Sequence, residues 1–526
     1  MASTGRTITA STWNIAAINN NPFEYWITYP EDPEYERIMG EIEKFIENPG
    51  KRDMPVNAVF QDGMFDQLEK RMDGIGWDRD HKVRQYWETD FRKRRIVSEF
   101  LKDPLLGSKR LASMPDRITN TINVEGQAEP VCRPTVINQY DGDLSSVLAW
   151  WPQWEAFMFD IPLAVEGKTA PVYQMLRPIS KSKYPDITEA EEKISLPLQL
   201  LCAAIFDSIL VKMMNTVSTP DKWQNLKRTM VDNLIRRKVP RTLEILQQTY
   251  ASSDVITLQE VSVSFIQQAS NSDLSRTHHI IPPQNPDAVR DQNSVILLRR
   301  DTFPEGALSD ITDLVMSAFP EGEDVPVANG DLLAINARDV DGVPYVIASF
   351  HGDTNGLATK PVLDALIRTM SVGEILAAHE LIFGLDANTY ENAKPGKQQD
   401  VVDFGARFAD HGLTSAWGDV PQPSNYTTFN ARTYLQPQLN KACKSTDKRK
   451  KGDVNPKDFI LFRHGELEVD RTWKDNTGAG GNGAESSPYV ENMAFPTLGF
   501  PSDHGILSTT LRPARRFGGG GARVSA

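Results

Sequence analysis

Short apolar runs recur along this chain, and several of them stop on a polar or charged residue. Thr7–Ile15 alternates with a period of two and is rich in β-branched residues, which predicts a strand with Asn14 near its end. The same reasoning predicts strands at Asp254–Val261, Ser294–Arg299, Asp331–Asn336, Tyr345–Phe350, Leu381–Asn388, Lys457–Phe462 and Ile506–Leu511. Other stretches carry the helical period. Glu31–Asn48 is charged and helix-like. Thr219-Pro220 is a helix start, with Trp223, Leu226, Met230, Leu234 and Ile235 following at helical spacing, and Pro240 should break or restart that helix before Leu243, Leu246 and Tyr250. Thr359–Ala378 and Gln399–Gly412 read as helices. The first of these separates two strands, giving a strand–helix–strand unit.

Chemistry concentrates where the runs end. Leu381-Ile-Phe-Gly-Leu leads into Asp386-Ala-Asn388, and Gly384 inside the run predicts a close backbone approach. Side chains two apart on a strand point the same way, so Asp386 and Asn388 can project together and hold a water, a metal or a phosphate oxygen. The same pair is also an ordinary turn former. Glu260 closes an apolar run, where a carboxylate is costly to bury without a cation or donors. His351 sits before a glycine-flanked turn, Gly352–Gly356, that would expose its imidazole. Asp458 begins a strand, and Asp503-His504 precedes the last one.

The 526 residues suffice for a large core and more than one module. A formal charge of −13 argues against a broad, sequence-blind binder of nucleic acid, though not against a local basic site. Two basic clusters exist, Arg92–Arg95 and the run Lys441–Lys451, which reads as a solvated loop or as an electrostatic guide for a phosphate-bearing substrate. Ala149–Phe159 is dense in aromatics and reads as a core contact or as a stacking surface. Cys132, Cys202 and Cys443 lack metal-ligand spacing. The most apolar window, Leu196–Met214, carries Gln199, Asp207 and Lys212 and is expected to be a buried helix rather than a bilayer span. No secretory signal is visible, and a cytoplasmic or nuclear location is expected.

Six motifs in order change the picture: Trp13-Asn14-Ile15, Leu258-Gln259-Glu260-Val261, His351-Gly352-Asp353, Leu385-Asp386-Ala387-Asn388, Asp458-Phe459-Ile460 and Ser502-Asp503-His504. This set resembles the endonuclease/exonuclease/phosphatase, or DNase I-like, superfamily over about 7–21 and 225–512. The segment Gly384-Leu-Asp-Ala-Asn388 has one more residue before its Asp than the usual Gly-Asp-x-Asn. The resemblance implies a four-layer α/β/β/α sandwich with a large, mainly helical insertion after the first strand. The expected domains are 1–21 with 221–512, an inserted lobe or cap at 22–220, and a flexible tail at 513–526.

The resemblance also implies a Mg²⁺-dependent hydrolase of phosphate esters, with Mn²⁺ as an alternative ion. Glu260 is an oxygen ligand suited to Mg²⁺, with Asn14 and Asp503 completing or supporting the metal site. Asp386 would position the attacking water, Asn388 and His351 would contact the phosphate, and Asp458 would orient His504 as base or phosphate contact. A phosphodiesterase or nuclease is the leading expectation. The alternatives are a phosphatase of a small phosphorylated substrate (an inositol phosphate, a nucleotide or a lipid headgroup) and a non-catalytic scaffold whose insertion binds a protein partner.

Overall fold

The computed structural model describes residues 6–112, 119–127, 129–320, 322, 324–371, 374–435, 452–480 and 488–514. The chain divides into two compact units, one of 1–18, 237–430 and 453–526, the other of 19–236 with 431–452. The run Lys441–Lys451, Cys443 and the tail from 515 lie outside the described residues.

Among the described residues, the first unit contains twelve strands in two sheets. In chain order they are β1 (Ile8–Asn14), β2 (Val255–Val261), β3 (His278–Ile281), β4 (Asn293–Arg299), β5 (Leu308–Asp310), β6 (Leu332–Arg338), β7 (Pro344–His351), β8 (Glu380–Asp386), β9 (Leu413–Ser415), β10 (Asp458–Arg463), β11 (Leu467–Asp475) and β12 (Ile506–Pro513). One sheet has the order β11-β12-β1-β2-β4-β3, the other β9-β10-β8-β7-β6-β5. Each has one parallel pair near its centre, β1 with β2 and β7 with β8.

Strand alternation assigns the faces. Ile8, Ala10, Val255, Ile296, Leu298 and Leu507 of one sheet meet Leu333, Ile335, Ile347, Ile382 and Ile460 of the other in a shared core. The alternate residues of the second sheet, Leu381, Phe383, Leu385, Phe459 and Leu461, pack on the helices Thr359–Ser371 and Val401–Asp410. On the first sheet, Trp13, Ile256, Leu258, Val295 and Leu297 pack on Lys238–Gln248 and Val263–Ser270. The layers are therefore α/β/β/α. Four strands escape the periodicity argument: β3, β5, β9 and β11. The first three have four residues or fewer, and β11 is mostly polar.

The second unit is mainly helical. Its centre is Ser195–Val217, a helix whose most apolar window is 83% buried. Around it lie Pro33–Glu47, Asp62–Gly74, Val147–Phe159 and Pro220–Val231, with two short hairpins, Thr121–Ile122 with Val131–Cys132 and Pro162–Val165 with Lys168–Pro171. Trp150, Trp151 and Trp154 are buried in mutual ring contact, with Trp151 stacked on Trp154, so this aromatic stretch is core. Arg92 pairs with Asp62, Arg94 with Asp90 and Asp103, and Arg95 donates to Asp53 O, so this basic cluster is largely neutralised where it stands.

The boundary expected at 221 falls at 237. The helix Pro220–Val231 belongs to the second unit because Trp223 donates to Asn215 and Lys227 Nζ donates to Thr135 O at 2.9 Å and Tyr140 O at 2.6 Å. Lys227 is buried there. Pro240 falls in the first turn of the restarted helix Lys238–Gln248, where its missing N–H costs nothing.

Candidate active site

The strand ends of the first unit meet at one end of the two sheets. On β8, Ile382, Gly384 and Asp386 share the face turned to the other sheet, so the strand delivers the Asp386 carboxylate inward. His351 and Asp458 stand directly in register with it on β7 and β10. From the opposite sheet β1 delivers Asn14. Its Nδ2 donates to Asp386 Oδ2 at 2.9 Å and to Glu260 Oε1 at 3.0 Å, so one amide bridges the two carboxylates.

Glu260 reaches this place by leaving the regular strand. Alternation puts Gln259 on the inner face, where it donates to Ser349, and would send Glu260 away. The pairing of β2 with β4 shifts between Leu258 and Val261, and Glu260 takes a left-handed backbone with φ 51°. Its carboxylate then faces His351 Nε2 at 3.2 Å and accepts from Gln292 Nε2 at 3.2 Å. Burial pushes the Glu260 carboxyl up, but the His351 charge and hydrogen bond, with the Asn14 amide, outweigh it and hold the group well below the usual range. Burial opposes charge on His351, and Glu260 followed by Asp386 reverses that, so His351 is raised.

The second cluster is a dyad. Asp458 Oδ2 lies 3.0 Å from His504 Nδ1, and His504 Nε2 lies 3.7 Å from Asp386 Oδ2. Both residues are buried. Burial alone would lower His504. The Asp458 and Asp386 carboxylates outweigh it and push it up to about 10. Trp13 Nε1 donates to His504 O at 2.9 Å, and Ser502 Oγ donates to Asn14 O at 2.6 Å, which ties the last motif to the first.

Asn388 lies beyond the end of β8, with φ 46°. Its N–H donates to Asp386 Oδ1 at 2.9 Å, so Asp386-Ala-Asn388 is a turn and part of the site at once. The two side chains are brought together by that turn, not by strand alternation as expected. The ligand-type atoms of Glu260, His351 and Asp386 lie within 4.8 Å of one another, as do those of Asp386, Asp458 and His504, and Asp503 belongs to neither group. Its charge adds to the rise at His504.

Three participants carried no sequence motif. Gln292 donates to Glu260 as above. Thr427 Oγ1 accepts from the N–H of both Lys457 and Asp458 at 3.0 Å, fixing the start of β10. Lys457 Nζ contacts Asn388. Only Lys457 had a legible signal, a cation beside the Asp of a strand start. Beside His351 a groove of about 510 Å³ opens, lined in part by Arg290, Gln292, Asp324, Asp331 and Asp353. Arg290 in it is paired with Asp331.

Oxygen donors dominate the first group, and Glu260 is kept ionised there. A carboxylate with an amide and a second carboxylate beside it suits a hard divalent cation such as Mg²⁺. The residues present therefore fit the ion that the resemblance implies.

A domain of unknown function (DUF8234) matches residues 53–228, within the helical unit. No curated protein matches the chain. Among solved structures, the chain is similar to the human Nocturnin catalytic domain with bound sulfate (16% identity, 53% of this chain and 87% of that one, TM-score 0.32). It is also similar to D. rerio TDP2 complexed with single-strand DNA product (13%, 53% and 93%, TM-score 0.31). A third is ANGEL2, a 2′,3′-cyclic phosphatase (12%, 52% and 85%, TM-score 0.33). In its two facing sheets, and in the order of the residues at their shared end, this chain resembles the endonuclease/exonuclease/phosphatase superfamily.

Proposed function

We propose that the chain is a divalent-metal-dependent hydrolase of phosphate esters. One observation carries the reading: the Asn14 amide bridges Glu260 and Asp386 from the opposite sheet, beside an Asp458–His504 dyad, all at one end of the fold. Five polar groups from separate strand ends are costly to bring together in one partly dry place without chemistry to perform.

Glu260 would hold the metal, with Asn14 and Asp386 beside it. A divalent ion there supplies a Lewis acid to a phosphoryl oxygen and acidifies a bound water. Asp386 accepts a hydrogen bond from the water to be activated and orients it. His351 and Asn388 donate to the phosphoryl oxygens. The Asp458 and Asp386 carboxylates favour a proton on each ring nitrogen of His504. Its Nδ1–H is committed to Asp458, which leaves Nε2–H for a phosphoryl or leaving-group oxygen. In this charge state His504 is a donor rather than a base.

Within that class a phosphodiesterase or nuclease is the first reading. A small phosphorylated substrate is the second, favoured by the ion pairing of Arg92 and Arg94, the burial of the tryptophans near 150, and the acidic lining beside His351. Hydrolysis of a panel of single-stranded DNA, RNA, nucleotides and inositol phosphates, with Mg²⁺ and with EDTA, separates them. Turnover should require the metal and fall at least about 10²-fold in Glu260→Ala and His504→Ala. Polymer substrates should lose affinity steeply between 50 and 200 mM salt, whereas a compact ester should lose little. A folded protein that turns over nothing and binds no Mg²⁺ by calorimetry would be a scaffold.

A further inference from the structure

The two ends of an Asn side chain are alike in shape and opposite in hydrogen bonding. At Asn388 the difference matters, because Nδ2 can donate to a phosphoryl oxygen whereas Oδ1 would repel one. Lys457 decides which end is which. Its Nζ lies 3.1 Å from Asn388 Oδ1, and an ammonium only donates. Oδ1 is thereby committed to Lys457. Asn388 Nδ2 makes a long contact of 3.3 Å to Gly352 O, and its second hydrogen is left for a ligand.

The ammonium is itself held in place. Asp453 Oδ2 accepts from it at 2.6 Å, and the Tyr390 ring centroid lies 5.2 Å away. The Lys457 side chain is only 5% exposed. Its backbone N–H is fixed by Thr427 as described above. Anchoring on both sides leaves the Nζ little freedom to move. The other side of the turn is equally fixed, since Asn388 N–H donates to Asp386.

We propose that Lys457 is a positioning residue that locks the Asn388 amide with Nδ2 toward the bound phosphoryl group. This rests on the phosphoester reading above and deepens it.

The test uses the full chain, Mg²⁺ and bis(p-nitrophenyl) phosphate, with Lys457→Met, Lys457→Gln, Asn388→Ala and the double variant Lys457→Met/Asn388→Ala. Lys457→Met should lower kcat about 10²-fold, the size of losing one transition-state donor, with KM little changed. Lys457→Gln keeps a neutral donor and should retain most of the rate. The double variant should be no slower than Asn388→Ala, because Lys457 acts through Asn388. Losses that multiply, equal damage from Met and Gln, or a Lys457→Met rate within twofold of the parent would each overturn the proposal.

Lys457→Met leaves the partly buried Asp453 without its cation. If its circular dichroism or melting shows an unfolded protein, Lys457→Met/Asp453→Asn removes both charges and is read against Asp453→Asn alone by the same criteria. If the parent chain hydrolyses no ester, the phosphoester reading has failed. The positioning role is then read by calorimetric binding of orthovanadate. Equal weakening by Asn388→Ala and Lys457→Met supports it, and binding that ignores Lys457 sinks it.

Discussion

Glu260 holds a left-handed backbone that a non-glycine residue adopts at a cost of about 1–3 kcal/mol. The cost has a local use, since a regular strand would turn its carboxylate away from Asn14. The sequence made Glu260 visible as an expensive strand end, but the irregularity that aims it was not legible, because nothing in Leu258-Gln-Glu-Val261 encodes a bulge. His504 was equally visible, as a base or a phosphate contact, but the rise in its pKa was not legible. Two carboxylates around one imidazole set that, and their convergence is tertiary. The sign of its pH effect follows. A histidine raised from its ordinary value to about 10 contributes stability that is fully present below about pH 6.5 and is lost as pH rises through about 10. His504→Gln should therefore be less stable than the parent at pH 6, and the gap should narrow steadily towards pH 10.5. Urea midpoints at four pH values would show it, and a gap constant with pH would mean that folding leaves the pKa of His504 unshifted.

At the scale of elements, Gly384 explains how two sheets come close enough to share a site. A Cβ added there would stand 2.0 Å from Thr257 Oγ1 and 3.1 Å from Thr12 Cβ, both on the opposite sheet. The close approach was read from the glycine alone, whereas its partners required the fold. Gly384→Ala is expected to destabilise the first unit by about 1–3 kcal/mol through overpacking. Thr257→Ala should recover part of the loss, and melting of the two single variants and the double variant would show whether it does. An additive double variant would place the strain elsewhere. The main strands of both sheets were legible because they are apolar and alternate. The polar edge strand β11 was not, since its nine residues pair with β12 without burying a face. Asp386 and Asn388 illustrate the limit of periodicity, because the strand stops between them.

At the scale of the whole molecule, two units with separate cores should not unfold as one. Differential scanning calorimetry is expected to resolve two transitions. Mg²⁺ should raise only the one belonging to the sheets, in proportion to the logarithm of its concentration, and Glu260→Ala should abolish that rise. A single transition that moves with metal as a whole would show the units coupled. The insertion itself was legible as an interval without strand-end motifs, although its reach to 236 was not. The strand that opens the chain also has a consequence in time. β1 pairs with β12, and Ser11 meets Ser508 across 497 positions of sequence. At about 5–20 residues per second of synthesis, β1 waits roughly half a minute to a minute and a half for that neighbour. The helical unit can be made and packed in the interval, so a ribosome-bound chain should show a folded lobe while its first strand still lacks its β12 neighbour.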